Sequence, residues 1–194
     1  QVYRRPVDIE FTLEVIPDWP RPRFTFHLLQ CRPQSYDASV AVPLPTGIAE
    51  EAKVFTANRL TPHGQVQGIR YVVYVVPERY YELPNPLKTE LARLIGRINK
   101  VLEGEKFILM GPGRWGTSNI ELGVKVTYAE IYNTSVLVEI ALAKGNEQAE
   151  VSYGTHFFQD LVEGHIYPLP LYPHDPATIF RSEFFTQTPN MLTH

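Results

Sequence analysis

Apolar and polar residues alternate from Val7 to Val15, with Ile9, Phe11 and Leu13 set between Asp8, Glu10 and Thr12. A period of two marks a strand covered on one face. Pro17, Pro20 and Pro22 interrupt it, and Phe24 to Cys31 resumes the strand pattern, so the two segments predict an antiparallel hairpin with a long loop. Ser35 to Thr46 carries Pro43 and Pro45 and no helical period, and reads as a linker and domain boundary. Beyond it, Ala52 to Leu60 has strand character, Gly64 and Gly68 flank a turn, and Ile69 to Val76 is strongly β until Pro77 closes it.

The period then changes. Leu87, Leu91, Leu94, Ile95, Ile98 and Leu102 share one face, while Lys88, Glu90, Arg93, Arg97 and Lys100 fall mostly on others. This predicts a helix over 86–103, capped by Asn85, with Pro86 in its first turn and Gly104 ending it. Strands are predicted at Lys106–Met110, Val124–Tyr128, Val136–Leu142 and Ile166–Leu171, and a short helix at Gly154–Glu163. The tail from Tyr172 reads as irregular but partly packed, since Phe180, Phe184 and Phe185 need cover. This order suggests a compact α/β or α+β domain with a mixed sheet. The expected division is 1–35 for the hairpin, 36–64 for a linking edge segment and 65–194 for the second domain.

Charge changes the picture only by exclusion. A net charge of −3 over 194 residues offers nucleic acid no basic surface. Tyr71, Tyr74, Tyr80 and Tyr81, beside Arg70 and Arg79, are better read as packing than as a stacking platform. No apolar run approaches the roughly 20 residues that cross a bilayer, and no signal-peptide pattern opens the chain. One cysteine, Cys31, can build neither an intramolecular disulfide nor a Cys-based zinc site, and fits a reducing cytoplasm. The chain opens on Gln1 rather than Met, and the functional unit is expected to extend upstream.

Two constellations carry candidate chemistry. In the hairpin, Gln30 and Arg32 share a strand face, and pairing with the first strand brings Glu10 beside Gln30. A carboxylate oxygen, an amide oxygen and a guanidinium on one face suit Mg²⁺-phosphate chemistry, with hard oxygen ligands for the metal and a bidentate fork for phosphate. The same spacing also suits a hairpin whose outward face is simply polar. The second constellation is the turn Gly111-Pro-Gly113-Arg114-Trp115-Gly116-Thr117-Ser118-Asn119 after an apolar strand. Its glycines permit a tight turn and close approach to a ligand, Arg114, Thr117 and Ser118 supply donors for an anion, and Trp115 either stacks on a ring or fills the core. It is neither a Walker loop nor G-x-G-x-x-G. Thr155 is placed to cap a helix begun by His156, and His156 either faces the cleft of Arg114 or is bonded to backbone. Glu139, a carboxylate in an apolar strand, either pairs with Arg114 or serves as a base.

Asp8-Ile-Glu10-Phe, a hairpin, then Leu29-Gln30-Cys31-Arg32-Pro33-Gln34-Ser35 resembles the closing strands of the ATP-grasp domain in the phosphoenolpyruvate synthase / pyruvate phosphate dikinase family, over roughly the first 35 residues. The loop here is longer and richer in proline than the family's. The resemblance implies metal contacts for Glu10 and Gln30, a catalytic, phosphate-contacting Arg32, Mg²⁺ and ATP as cofactors, and pyruvate or phosphoenolpyruvate as a further small-molecule partner. It also implies that the upstream part of the domain completes the site and that this chain alone is inactive as a kinase; the lack of a long apolar run, not the resemblance, sets the expectation of no membrane. The Gly111–Asn119 turn and the segment Tyr153-Gly-Thr-His156-Phe-Phe-Gln-Asp-Leu-Val162 resemble a block that follows the ATP-grasp domain in divergent members. That resemblance bears on the identity of the chain and not on its chemistry; from the residues themselves, Gly111, Gly113, Arg114, Gly116, Thr117, Ser118 and His156 are the candidate anion contacts. The fold class expected is α/β (α+β): a terminal hairpin of an ATP-grasp domain, then a compact mixed-sheet domain with a few helices. A regulatory or assembly module, with a homo-oligomer among its forms, is the alternative.

Overall fold

Strands β1 (Val7–Ile16) and β2 (Arg23–Pro33) form the antiparallel hairpin that the alternation predicts. The computed structural model describes residues 7–33, 43, 45–62, 64–142 and 150–193. The chain divides into two compact units, 1–39 and 40–194. Within the hairpin Phe11 stands opposite Leu28, Leu13 opposite Phe26, and Val15 opposite Phe24. These positions share one face, because side chains alternate along a strand. Glu10, Thr12 and Glu14 take the other face, opposite Gln30, His27 and Thr25. The Phe11 and Phe26 rings lie 4.7 Å apart across the ladder.

In the second unit, β3 (Tyr71–Tyr74), β4 (Phe107–Pro112), β5 (Val136–Ile140) and β6 (Tyr167–Leu171) form a four-stranded sheet in sequential order. Every pairing is parallel, so the sheet is parallel and not mixed as expected. Parallel strands need long crossovers and are covered on both faces, which is why β4 reads as an unbroken apolar run and β5 as one broken only by Glu139. Helices α1 (Pro77–Glu82), α2 (Asn85–Val101), α3 (Tyr128–Ile131) and α4 (His156–Glu163) make the crossovers. With right-handed crossovers and a strand order that never reverses, all four belong on one face. There Tyr80, Ile95, Ile131 and Leu161 bury against Phe107, Leu109 and Leu137.

The opposite face carries Met110, Val136, Val138 and Ile140 under Phe55, Phe180 and Phe185. Two stretches from far apart in sequence cover it. Phe55 forms a lone antiparallel bridge with Phe180, with Thr56 N–H donating to Ile179 O at 2.9 Å and Arg181 N–H to Val54 O at 2.9 Å. The strand expected over 52–60 is therefore one bridge after a 3₁₀ turn at Glu50–Ala52. The tail is more regular than expected, since α5 (Ser182–Gln187) sets Phe185 5.0 Å from the Tyr74 ring. Edge strand β6 tolerates Pro168 and Pro170 because Tyr167 N–H turns toward β5, and positions of the other parity turn outward.

Three further expectations are corrected. Val124 to Tyr128 is not a strand; it is irregular chain, with Val126 N–H donating to Val124 O at 2.9 Å, leading into α3, which opens with a Thr127–Glu130 capping box. Asn85 does not cap α2, whose N-cap is Pro84. Lys88 is not on an outer face: it is 2% exposed, with Nζ 2.7 Å from Glu121 and over the Tyr80 ring.

Candidate functional site

In the first unit Glu10 lies opposite Gln30, and Arg32 opposite Asp8. Their shared face depends on one irregularity. Between Glu10 and Phe11 the register shifts, leaving Leu29 without an opposing residue. Without that bulge, strict alternation from Leu28 would send Gln30 and Arg32 to the apolar face. With it, the phase of β2 reverses and both positions join Glu10. Bulges re-aim side chains in this way near active sites. Glu10 and Gln30 are solvent-exposed; the side chain of Arg32 lies outside the described residues. The oxygen donors fit a hard cation such as Mg²⁺, which keeps several waters and takes few protein ligands. Among the described residues no group of three or more His, Cys, Asp or Glu side chains stands together as a metal cage.

In the second unit the glycine-rich turn leaves β4 at the carboxyl end of the sheet, where open α/β sheets place ligands. Its backbone donors are used internally. Gly113 N–H donates to Ile140 O at 2.9 Å, Arg114 N–H to Leu122 O at 2.8 Å, and Gly116 N–H to Val124 O at 3.1 Å. Trp115 N–H donates to Glu139 Oε1 at 2.9 Å. A Cβ on Gly113, at φ 63°, would lie 1.9 Å from Leu122 O, and one on Gly116 would enter the Phe157 ring. A Cβ on Gly111 would meet Trp115 and Val75. The glycines thus serve close approach of the chain to itself. Trp115 is fully buried in the core, so it stacks on no ligand. Thr117 is buried and its hydroxyl accepts from Asn119 N–H at 3.1 Å, while Ser118 is exposed. Arg114 is half-buried, its guanidinium 3.3 Å from Glu150.

Buried Glu139 joins this turn to the segment before His156. Its Oε1 takes the Trp115 bond, its Oε2 accepts from Ser152 N–H at 2.6 Å, and Ser152 Oγ lies 2.5 Å from Oε1 and 2.9 Å from Trp115 O. Burial pushes the Glu139 carboxyl above its ordinary range, opposed by the Ser152 and Trp115 bonds and by the Arg114 charge. Three residues on, Thr155 caps α4 by accepting from Phe158 N–H at 3.3 Å. His156 opens that helix, exposed, next to the Phe157 that packs on Gly116. The structure thus brings the Gly111–Ser118 turn and the start of α4 together. Ser152 as the third member of this arrangement was not read from sequence; the signal was Glu139, a charge in an apolar strand that needs donors.

A surface recess of about 450 Å³ lies at Tyr128, Asp160, Glu163 and Gly164, and none of the sequence-predicted site residues lines it. Among the described residues no helix is long and apolar enough to cross a membrane. Compared with models of protein families, with curated proteins and with solved structures, the chain finds no match.

Proposed function

We propose that the chain is part of an ATP-dependent phosphotransferase resembling phosphoenolpyruvate synthase and pyruvate phosphate dikinase, with the Glu10 face of the hairpin contacting Mg²⁺ and the phosphates of ATP. The observation that carries this reading is the register shift at Leu29, which puts Gln30 and Arg32 in phase with Glu10. Glu10 and Gln30 would hold the metal through oxygen, and Arg32 would clamp a phosphate with two parallel N–H bonds. Bound Mg²⁺ would neutralise charge on the transferring phosphoryl group. The chain's own part is positioning and charge neutralisation, which dominate phosphoryl transfer. Upstream residues would complete the nucleotide pocket, and pyruvate or phosphoenolpyruvate would be the partner at the acceptor side. In the second unit Arg114, Ser118 and His156 would be the side chains that contact an anion.

The test is calorimetric titration of the full-length protein, upstream part of the domain included, with ATP, with and without Mg²⁺, repeated on Glu10→Ala and Arg32→Ala. Saturable, Mg²⁺-dependent binding weakened at least about tenfold by either substitution is expected, since each removes a charged contact. Absence of binding, or binding indifferent to both substitutions, overturns the reading.

A second reading, favoured by one observation, concerns the second unit alone. Because Gly113, Arg114, Trp115 and Gly116 spend their N–H groups internally, the turn is built as a brace. The unit then acts as a non-catalytic regulatory or assembly module. Arg114→Ala that leaves binding of ATP, AMP and phosphoenolpyruvate unchanged is the result expected on this reading.

A further inference from the structure

Helix α2 carries two stripes, and its own unit uses one of them. Ala92 and Ile95 sink into the core, flanked by buried Lys88 and Asn99. On the neighbouring flank Leu87, Leu91, Leu94, Ile98 and Val101 recur at spacings of 4, 3, 4 and 3. That is the heptad seam of one helix laid along another. Leu87 is 45% exposed, Leu94 37% and Val101 83%, while Leu91 and Ile98 are half-buried. The seam points away from the helix layer. A Cβ on Gly96 would meet Glu130 of α3 at 3.2 Å, and Asn133 N–H donates to Asn99 Oδ1 at 3.0 Å, so positions 96 and 99 face α3. At 100° per residue the seam lies roughly 150° around the helix from them. It therefore looks out past β3, whose Tyr71 and Val73 share a cluster with Leu91. β3 is an edge strand, Tyr-Val-Val-Tyr, without proline or charge, whereas Pro168 and Pro170 blunt the opposite edge at β6.

We infer that this flank of α2 is the interface with a second copy of the chain, the two α2 helices lying antiparallel about a twofold axis. The charges beside the seam single out a second copy. Glu90 and Arg97 precede Leu91 and Ile98, lie along the side of the seam farther from the core, and are exposed. Seven residues apart, they stand roughly 10 Å from each other along the axis, too far to pair within one helix. Among the described residues neither has an ion-pair partner. An antiparallel pair that sets Leu91 beside Leu94 of the second copy also sets Glu90 beside Arg97 of that copy. The twofold repeats the pair with the roles exchanged, and Leu87 layers on Ile98 in the same register. One register thus fills the seam and matches every charge that borders it, the self-complementarity that an isologous contact requires. A parallel pair would aim Glu90 and Arg97 at Ile95 and Leu102, which carry no charge and pack within their own chain. The inference needs neither nucleotide at the hairpin nor an anion at the glycine turn, so it does not fall with either reading of function.

Sedimentation equilibrium of the whole chain from micromolar to hundreds of micromolar tests it. The expected species is a dimer of twice 22.2 kDa. Leu94→Glu, at the centre of the seam, should raise its dissociation constant at least about 30-fold, as loss of a central apolar anchor does. The charge variants give the sharper readout. Arg97→Glu alone sets like charges against each other twice, and should weaken the dimer at least about tenfold. Glu90→Arg alone should do the same. The double variant Glu90→Arg/Arg97→Glu restores both pairs with their signs exchanged, and should return the constant to within about threefold of wild type. Both side chains are exposed, so these reversals leave the core untouched. A monomer throughout the range, polydisperse aggregates, or a dimer indifferent to Leu94→Glu would each overturn the inference, the first leaving the seam to a different polypeptide. A double reversal that binds no better than the single ones would overturn the antiparallel register and the inference with it.

Discussion

Three donors converge on the Glu139 carboxylate: the N–H groups of Trp115 and Ser152, and the Ser152 hydroxyl. The hydroxyl has one hydrogen and two acceptors in reach, Glu139 Oε1 and Trp115 O. When Glu139 is ionised, that hydrogen goes to the carboxylate. When Glu139 is protonated, the carboxyl donates to Ser152 Oγ, which passes its own hydrogen to the Trp115 carbonyl. Burial favours the second state, because desolvation raises the Glu139 pKa above 4.5. The folded chain then keeps this proton over a range where the unfolded chain has lost it. The stability Glu139 contributes is thus full below about pH 4.5 and declines as pH rises toward the folded value. Glu139→Gln removes the titration but has one acceptor oxygen, so a backbone N–H of Trp115 or Ser152 faces a donor. The variant should unfold with about 1–3 kcal/mol less stability. The gap between wild type and variant should narrow as pH rises above 4.5. Urea unfolding at several pH values checks both; a gap that widens with pH would show that the carboxylate is the favoured folded form.

At the scale of elements, what the sequence revealed depended on how local the cause was. The 3.6-residue period found α2 within two residues at each end, and β4, β5, α4 and β6 fell within their predicted stretches or a residue or two beyond. The failures came where the pattern was real but its partner was distant. Val124 and Val126 do alternate inward, both buried, yet they pack beside the glycine turn instead of joining the sheet. Phe55 finds Phe180 from the other end of the unit. Pro77, read as the end of a strand, sits at the start of α1, where its missing N–H costs nothing. In the candidate site the hairpin was legible from alternation, but strict alternation sets Gln30 in phase with Leu28, so the bulge at Leu29 that brings it opposite Glu10 was not. The Thr155 cap was legible because a cap is a local device. It also ties α4 to the Glu139 cluster, since its hydroxyl lies 2.6 Å from Ser152 O. Thr155→Ala should therefore cost about 1 kcal/mol, and Thr155→Ser should recover most of it in the same denaturation measurement. Equal loss in both variants would place the contribution in the methyl group and not in the cap.

At the scale of the whole molecule, the two units differ in how they are held together. The second unit is closed by contacts between its own ends: Val54 to Thr56 bridge Ile179 to Arg181, and Tyr167 Oη lies 2.5 Å from Pro62 O. Its two apolar clusters draw on residues from Phe55 to Phe185. The hairpin has one ladder and one uncovered apolar face. Each unit is compact by itself, and the second unit's own end-to-end contacts are sufficient to hold its fold. Removing residues 1–39 should leave 40–194 with a cooperative thermal transition within about 4 °C of the full chain's, the shift that about 1 kcal/mol produces in a domain of this size. A larger loss of stability would mean that the hairpin supports the second fold. Calorimetry of the truncated protein thus separates a hairpin that builds the fold from one that presents surfaces, polar on the side of Glu10 and apolar on the side of Phe11.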